Sequence, residues 1–436
     1  MHLTAFSVMS DHLGLTADAD LVARLVDVVG EAHVLRPPAE ASAANFRYGR
    51  DETEDLWVAP AVVVRPGCAE EVASIVRLAA ETKTPVTPWA AGTSLSGGAI
   101  PVRGGISLSL ERMNRIVEID EGAGFAVVQP GVINQVLGDA VEALGWFYPP
   151  DPASRGSSTI GGNVAMNAGG PRCVKYGVTK DWVHGVEVVL ASGERVRFGG
   201  KRLKDVAGYN MTQLFVGSEG TLGVLTEVTV KLIPKPTDRL ALLVPFTEPE
   251  AAGACVAALF QARITPSACE LMTRPAIQAA VAHRRAAGAS VDWPFADEAG
   301  AQLLIELDGF DTATVERDAE RVGEVALEAG ALEVLLAESS DRQADLWGLR
   351  RSMGEAVKAI SVYKEEDTVV PRDRLPNLIR AAEEVGQRYG IRIITYGHAG
   401  DGNLHCNLLK EGLTDQQWEE EAPRAIRELF ERTVAL

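Results

Sequence analysis

The sequence lacks the features that mark membrane and nucleic-acid-binding proteins. Its apolar runs are short, and Ala61 to Val64 is typical, whereas a membrane helix needs about 20 apolar residues. Positive charge is scarce, because 42 Lys and Arg stand against 60 Asp and Glu, which gives a net charge of −18. Nucleic acids and anionic membranes are bound by basic patches. The composition therefore argues against both partners, and an anionic substrate would need a local group of cations.

The sequence also has few cysteines, and we predict no targeting segment. None of the five cysteines forms the close pair that holds zinc or an iron–sulfur cluster, so we expect buried small hydrophobic side chains. They are Cys68, Cys173, Cys255, Cys269 and Cys406. The N-terminal residues lack a basic segment followed by an apolar stretch, which predicts no secretory signal. The expected compartment is the cytoplasm, with a peripheral position at the inner membrane as an alternative.

What the chain does have is the composition of a packed protein that is too long for one ordinary core. Hydrophobic residues make up 46% and charged residues 23% of its 436 residues. We predict three parts, at residues 1–55, 56–236 and 237–436. The first is a helical lead-in, with Leu21, Leu25 and Val28 at helical spacing. Two prolines, Pro234 and Pro236, mark the second boundary.

The middle part is rich in short β-forming runs separated by glycine. The predicted strands are Val62–Val64, Ile106–Leu110, Phe125–Val128, Val186–Leu190 and Val224–Leu232. One amphipathic helix is predicted from Val72, Ile75, Val76 and Ala79, which share a face.

In the last part, strands and helices alternate, which favours an antiparallel sheet with helices on one of its faces. The predicted strands are Leu240–Val244, Ala301–Leu307, Leu332–Leu336, Ile391–Thr395 and Leu404–Leu409. The predicted helices lie at 249–262, 312–328, 341–358 and 373–389.

The most informative segment is a strand that runs into a loop of small residues, Thr84 to Pro101. Such a loop lets backbone N–H groups point inward, and the hydroxyl groups of Thr93, Ser94 and Ser96 add donors that suit a pyrophosphate. It has neither the Gly-Lys-Ser/Thr of a Walker loop nor the Gly-x-Gly-x-x-Gly of a Rossmann fold. By itself it is equally compatible with a plain cluster of turns.

Two more segments combine glycine with small polar residues. The first runs from Pro149 to Gly170, where small residues let the backbone approach a flat ring closely. The second runs from Phe215 to Leu225 and enters the last strand of the same part. If all these glycines served only turns, the segments would still give a β-rich domain.

Together with Gln129–Gly131 and Lys175–Asp181, these segments resemble the FAD domain of the vanillyl-alcohol-oxidase-type flavoproteins, also called the PCMH type. The likeness covers nearly the whole chain and is greatest to the branch of D-lactate dehydrogenase, glycolate oxidase and D-2-hydroxyglutarate dehydrogenase. It implies an α+β fold. A two-part FAD-binding domain would be followed by a substrate domain whose antiparallel sheet is covered by helices.

The resemblance also assigns FAD-binding positions. Residues 91–98 would hold the pyrophosphate, while 159–163 and 223–224 would line the adenine and isoalloxazine ends. The implied positions are Ala91, Gly92, Thr93, Ser94, Ser96, Gly97, Gly98, Pro130, Gly131, Asp151, Thr159, Ile160, Gly161, Gly162, Asn163, Asn167, Gly169, Gly170, Gly223 and Val224. Some relatives attach the flavin through histidine or cysteine, but neither occurs between Pro88 and Pro101, so we expect non-covalent FAD.

A second group of polar residues lies in the segment Thr395 to Asn407. His398 ends one predicted strand and His405 begins the next, and Asn407 shares a face with His405 because side chains alternate along a strand. Paired imidazoles can bind zinc or a similar metal, although a lone histidine is more often structural. The segment is similar to the family motif Gly-His-x-Gly-Asp-Gly-Asn-x-His. That likeness implies metal or substrate binding, with zinc as the expected ion on His398 and His405.

A carboxylate substrate needs a cation, and arginine binds a carboxylate through two parallel hydrogen bonds. Leu346–Arg350 matches the family segment that supplies it, so Arg350 is the candidate and its neighbour Arg351 the control. Without the resemblance, an arginine on a helix of an acidic protein is better explained as a solvated ion pair. Lys364 matches a second cationic position, although three acidic residues follow it.

The family pattern continues beyond the last helix. There a glutamate completes the metal site and a histidine accepts the proton of the α-hydroxyl group. This sequence ends at Leu436, before such a segment, and two histidines alone leave a zinc site short of the usual three protein ligands.

The resemblance predicts FAD-dependent oxidation of a small D-2-hydroxy acid such as D-lactate, glycolate or D-2-hydroxyglutarate. Electrons would pass to a quinone, a cytochrome or an electron-transfer flavoprotein, because the sequence has no iron–sulfur or haem motif. The expected assembly is a homodimer or a subunit of an oxidase complex. Two alternatives stay open. A non-catalytic FAD-binding subunit has no need of Arg350 and the histidines, and an NAD(P)H-dependent flavin reductase leaves the paired histidines unexplained.

Overall fold

The computed structural model describes residues 18–37, 46–53 and 56–436. Outside the described residues lie parts of the predicted lead-in, at 1–17, 38–45 and 54–55. Packing divides the chain into unit 1, up to Gly169 and Gly177–Lys235, and unit 2, Gly170–Tyr176 and Pro236–Leu436. Among the described helices, none is long and apolar enough to cross a membrane.

Helices and strands are interspersed along the described chain. The helices are α1 (Ala19–Val29), α2 (Ala69–Thr82), α3 (Asn134–Glu142), α4 (Ile160–Met166), α5 (Cys173–Tyr176), α6 (Met211–Phe215), α7 (Pro249–Gln261), α8 (Arg274–Ala286), α9 (Thr312–Glu328), α10 (Ser340–Arg351), α11 (Met353–Lys358), α12 (Leu375–Tyr389) and α13 (Asp415–Ala435). The strands are β1 (Val34–Leu35), β2 (Val62–Val64), β3 (Val86–Trp89), β4 (Ile106–Ser109), β5 (Ile116–Asp120), β6 (Phe125–Val128), β7 (Trp146–Phe147), β8 (Val183–Val189), β9 (Arg195–Gly199), β10 (Val224–Lys231), β11 (Ile233–Pro234), β12 (Asp238–Phe246), β13 (Ala268–Thr273), β14 (Ala301–Gly309), β15 (Leu335–Ala337), β16 (Tyr363–Val369), β17 (Arg392–Gly397) and β18 (Asn403–Leu409).

Unit 1 is built on two main sheets that differ in strand direction. The first has the order β1-β2-β4-β3, and its strands β2, β4 and β3 are parallel. The second has the order β5-β6-β10-β8-β9 and is antiparallel throughout. On α2, the predicted stripe of Val72, Ile75 and Val76 packs with β2 and β4 in one core. The loop after β3 therefore begins at the carboxyl end of a parallel strand, where ligands of open α/β sheets bind.

Unit 2 contains a seven-stranded antiparallel sheet with the order β15-β12-β14-β13-β17-β18-β16. Alternate residues of β12 enter two separate cores. Leu242 and Val244 pack with α7, α9 and α12, whereas Ala241 and Leu243 pack with α8, α10 and α11. The prediction of an antiparallel sheet covered by helices is confirmed, but the expectation of helices on one face is wrong. A strand whose residues are apolar in succession needs cover on both faces.

Three elements of unit 2 differ from the sequence prediction in ways that matter for the site. The helix predicted over 341–358 is two helices, α10 and α11, which meet at Ser352. β13 and α8 are absent from the predicted elements. The apolar run of β13 is interrupted by a charged residue, Glu270, which weakens its signal as a buried strand.

Candidate functional site

The glycine-rich segments of unit 1 come together in the fold. Ser94 Oγ, in the loop after β3, lies 3.8 Å from the sulfur of Met166 at the end of α4. The third segment contacts the same helix end, because the N–H of Gly217 donates to the Val164 carbonyl at 2.9 Å. Segments that are far apart in sequence thus meet around α4.

The loop at 91–98 has the conformation that its small residues permit. Gly92 and Gly97 have φ angles of +68° and +77°, in the left-handed region that favours glycine. The hydroxyl oxygens of Ser94 and Ser96 lie 3.0 Å apart, and Ser96 is exposed. The loop therefore combines two hydroxyl donors with glycines in the left-handed conformation.

The segment around α4 is held by backbone hydrogen bonds to residues 130–132. The N–H groups of Ile160 and Gly161 donate to the carbonyls of Val132 and Pro130 at 2.7 and 2.8 Å. A side chain on Gly161 would collide with Pro130. The Thr159 hydroxyl accepts a hydrogen bond from the Gly162 N–H at 3.3 Å and caps the helix. Gly161 thus has a packing reason to be glycine that does not depend on a ligand.

The other predicted FAD positions have varied surroundings. Asn167 ends α4 with a φ of +50°, and its side chain accepts a hydrogen bond from the Lys180 N–H. A side chain on Gly223 would lie 2.5 Å from Val188. The structure places Asp151 in an ion pair with Arg155 and assigns Gly170 to unit 2. The remaining predicted positions are Ala91, Thr93, Gly98, Gly131, Asn163, Gly169 and Val224, all in unit 1.

Several buried polar atoms of unit 1 have no hydrogen-bond partner among the described residues. They include Tyr148 OH, Ser158 Oγ and Asn163 Nδ2. Leaving a buried donor unsatisfied costs about 1–3 kcal/mol, so such groups call for a partner. A bound dinucleotide, with its phosphate, ribose and ring acceptors, would supply one. The residues present therefore fit FAD, and Tyr148 and Ser158 are additions to the positions predicted from the sequence.

In unit 2 the two motif histidines lie side by side. His398 follows β17 and His405 lies on the adjacent strand β18, and their ring centroids are 5.3 Å apart, edge to face. The turn between them closes at Gly402, whose φ of +77° is in the left-handed region. The structure therefore brings together the pair that the sequence predicts.

A buried carboxylate, Glu270, connects His398 with Arg350. The side chain of Glu270 has no exposed surface, and both of its carboxylate oxygens lie 2.9 Å from His398 Nδ1. Its Oε2 lies 2.6 Å from Arg350 Nη2. Burial alone would raise the pKa of Glu270, but His398 and Arg350 outweigh it and hold this pKa below its ordinary value. Burial lowers the pKa of His398, against the opposing effect of Glu270.

Arg350 is a buried guanidinium with unused hydrogen-bonding capacity. The residue lies on α10 and is 7% exposed, and its guanidinium carbon is 5.0 Å from the centroid of the Tyr396 ring. Among the described residues, Nε and Nη2 have no hydrogen-bond partner of good geometry, even though Nη2 is ion-paired with Glu270. A carboxylate ligand would satisfy these donors.

The other two predicted residues, Asn407 on β18 and Lys364 on the adjacent strand β16, lie on opposite faces of the sheet. Asn407 is fully buried on β18, donates to the Ile394 carbonyl at 3.2 Å and is paired with Glu365. Lys364 is paired with Leu408, so strand alternation puts it on the opposite face from Asn407 and His405. Two acidic side chains of β16 approach His405: Glu365 Oε1 lies 3.2 Å and Asp367 Oδ1 lies 3.6 Å from His405 Nδ1.

The described residues do not complete a metal site. Two imidazoles suit zinc, but a catalytic zinc ion usually has three protein ligands. Within residues 18–37, 46–53 and 56–436, no group of three His, Cys, Asp or Glu side chains is placed to hold a metal ion. We therefore assign no step of the reaction to a metal.

Glu270 is the part of this site that the sequence analysis leaves out. The signal available for it is a single glutamate inside the short run Ala268–Thr273. A charge in a buried strand needs a partner, and this expectation would have marked Glu270 as notable without identifying His398 and Arg350.

Two protein-family descriptions match the chain, one in each part of the sequence. Residues 60–199 match the family described as FAD binding domain, and residues 235–436 match FAD linked oxidases, C-terminal domain. The glycolate oxidase subunit GlcD of Bacillus subtilis is 40% identical over 401 residues, which is 91% of this chain and 83% of that protein. A D-lactate dehydrogenase of Anaerostipes hadrus is 39% identical over 361 residues, which is 81% of this chain and 75% of that protein.

A solved structure shows the same fold at low sequence identity. The 4-ethylphenol oxidase of Gulosibacter chungangensis has a TM-score of 0.73 and 21% identity, over 95% of this chain and 86% of that one. This likeness agrees with the predicted vanillyl-alcohol-oxidase-type architecture. The chain therefore belongs to the FAD-linked oxidases, a family that includes glycolate oxidase subunits and D-lactate dehydrogenases, and it is an FAD-dependent oxidoreductase.

Proposed function

We propose that this chain oxidises a small D-2-hydroxy acid, of the D-lactate, glycolate or D-2-hydroxyglutarate type, to the 2-oxo acid. The relatives named above support the class of reaction. The observation that carries the proposal is Arg350, a buried guanidinium with unsatisfied donors beside two histidines. A non-catalytic flavin-binding subunit would have no use for such an arrangement.

Arg350 is the proposed carboxylate-binding residue. Its rigid fork can bind the carboxylate of the substrate, and the Tyr396 ring beside it and Glu270 limit the movement of the guanidinium. Arginine stays charged at any working pH, so this role does not depend on protonation. The binding of one carboxylate group would thereby fix the orientation of the adjacent carbon and its hydroxyl group.

His398 is the proposed acceptor of the hydroxyl proton. Its lowered pKa keeps the imidazole neutral at neutral pH. If Nδ1–H donates to Glu270, the lone pair remains on Nε2, where it can accept a proton. Asn407 and His405, on the neighbouring strand, would complete the polar surroundings of the hydroxyl group.

The cofactor in this proposal is non-covalently bound FAD, held by the glycine-rich segments of unit 1. When bound, FAD supplies the acceptor for the hydride from C2 of the substrate. The electrons would then pass to a quinone, a cytochrome or an electron-transfer flavoprotein. A homodimer or an oxidase complex is the proposed assembly, and the cytoplasm, including the surface of the inner membrane, the proposed location.

Two parts of the sequence prediction remain separate proposals. A zinc ion on His398 and His405 would require a third ligand beyond this pair, and equilibrium dialysis against zinc would detect it. Lys364 would act as a second cation for the substrate. Lys364 lies on the opposite face of the sheet from His405, so we propose Arg350 as the main carboxylate-binding residue.

A substrate panel tests the proposed function. The FAD-loaded protein is mixed without oxygen with D-lactate, glycolate, D-2-hydroxyglutarate or L-lactate, and the visible flavin absorbance is followed. We expect at least one of the first three acids to bleach the flavin and L-lactate to leave it oxidised. Bleaching by none of the 2-hydroxy acids would reject the proposal, and bleaching by NADH alone would favour the flavin-reductase alternative.

A further inference from the structure

We propose that Glu270 is a positioning residue that fixes the orientation of both His398 and Arg350. The inference rests on the proposed function and adds a residue to its site. It stands on the contacts of one buried carboxylate with two side chains from different elements.

The backbone sets the position of Glu270 with little freedom. It lies on β13, between β14 and β17, and is paired with Leu304 on β14. Cys269 and Leu271 on either side of it enter the core formed with α7 and α9, so the Glu270 side chain lies on the other face. That face also carries Tyr396, which is paired with Met272. A strand in the middle of a sheet is a rigid base for an anchoring side chain.

The two contacts of Glu270 determine different properties of their partners. Both oxygens lie 2.9 Å from His398 Nδ1, and a carboxylate at this position favours the tautomer that carries its proton on Nδ1. This leaves the Nε2 lone pair available. The ion pair with Arg350 Nη2, at 2.6 Å, holds one side of the guanidinium and leaves Nε for a ligand.

A purely structural role is the alternative explanation. Buried acids elsewhere in the chain pair with arginines and touch no predicted site residue. Glu187 on β8 is one of these, since it is 5% exposed and lies within 3.2 Å of Arg195 and 2.7 Å of Arg197. Glu187→Gln is therefore the matched control for the loss of a buried ionised carboxylate.

Glu270→Gln keeps the shape of the side chain and removes its charge. We expect the limiting rate of flavin reduction by the substrate to fall roughly 10–100-fold, the range observed when a partner that orients a site histidine is lost. FAD content and the melting temperature should match those of Glu187→Gln. In an Arg350→Lys background the same change should cost much less than in the wild type, because residues that act together are not additive.

A second readout does not depend on turnover. In ¹⁵N-histidine NMR spectra at pH 8, with His398 assigned from a His398→Gln variant, the wild type should carry the proton on Nδ1. Glu270→Gln should shift His398 toward a mixture of tautomers, and Glu187→Gln should not. If no 2-hydroxy acid reduces wild-type FAD, the proposed function fails and the nitrogen shifts alone decide on Glu270. A wild-type tautomer in Glu270→Gln, or a rate loss that is fully additive with Arg350→Lys, would overturn the inference.

Discussion

Both carboxylate oxygens of Glu270 lie 2.9 Å from Nδ1 of His398, although 128 positions separate the two residues in the sequence. The contact exists because β13 and β17 are neighbours in the sheet, where Leu271 is paired with Gly397. It gives the candidate site a fixed negative charge beside a neutral imidazole and a guanidinium. The proposed chemistry depends on this arrangement.

The first prediction concerns Arg350 and the substrate carboxylate. Arg350→Lys keeps the charge beside Glu270 but removes the planar fork, so KM for the 2-hydroxy acid should rise about 10–100-fold, the cost of roughly 1.5–3 kcal/mol for a hydrogen bond to a charged group. Steady-state kinetics with a dye acceptor would measure this. The change should appear in KM more than in the FAD content.

Two variants serve as comparisons for Arg350. Arg351→Lys alters the adjacent residue, whose guanidinium lies 5.4 Å from the centroid of the Trp347 ring, and KM should stay within about threefold of the wild type. Lys364→Met should raise KM less than Arg350→Lys, because Lys364 lies on the opposite face of the sheet from Asn407. A larger effect at Lys364 than at Arg350 would reverse their proposed order.

The second prediction concerns Asp401 and the pH dependence of stability. Burial, together with the negative charge of Glu270 and against the effect of Arg372, raises the pKa of Asp401 from 3.8 to about 7. Between these values the unfolded chain releases the proton and the folded chain retains it, so the free energy of unfolding falls as the pH rises. Asp401→Asn removes this loss. At pH 8 the variant should be more stable by roughly 1–4 kcal/mol, given about 1.4 kcal/mol per pKa unit.

Urea unfolding of both proteins between pH 4 and pH 8 checks the Asp401 prediction. The difference in unfolding free energy should be small at pH 4, grow toward pH 7 and then level off. A difference that is constant across this range, or a variant that is less stable at pH 8, would contradict the raised pKa of Asp401 in the folded protein.

The third prediction concerns Asn163 and FAD. Asn163 is 3% exposed and its Nδ2 has no hydrogen-bond partner among the described residues. If FAD provides the partner, Asn163→Leu should weaken FAD binding about tenfold, or roughly 1.4 kcal/mol. The apoprotein should not lose stability, because the substitution removes an unsatisfied buried donor. Flavin fluorescence titration and apoprotein melting would measure the two effects.

Asn134 supplies the opposite case as a control. It is 4% exposed, and its Nδ2 donates to the Pro150 carbonyl at 3.3 Å. Asn134→Leu should therefore lower the stability of the apoprotein by about 1 kcal/mol and leave the affinity for FAD unchanged. If both variants behaved alike, the unsatisfied donor of Asn163 would have no special connection to the cofactor.

The sequence predicts best what depends on local pattern. The helical spacing of apolar residues predicts α2, and their alternation predicts β18. The turn between His398 and His405 follows from two strands joined by glycines. The antiparallel sheet of unit 2 follows from the same regularity. These features are encoded by residues close together in the chain, so no tertiary information is needed.

The remainder depends on contacts between distant segments. The face on which Lys364 lies is set by the register of β16 on β18, which no local pattern fixes. The partners of Glu270 likewise depend on the order of strands in the sheet. Helices cover both faces of the sheet because consecutive residues of β12 are apolar. A continuous apolar run has no alternation that would tell whether helices cover one face or both.

The most direct test of the central claim is the stoichiometry of a single turnover. FAD-loaded protein is mixed without oxygen or acceptor with the 2-hydroxy acid that bleaches it in the panel, and the reaction is quenched for product analysis. We expect one molecule of 2-oxo acid for each FAD reduced, and when Arg350 is changed both the 2-oxo acid and the reduced FAD should decrease by the same factor. Flavin that stays oxidised with every 2-hydroxy acid, or that is reduced without forming a 2-oxo acid, would contradict this claim.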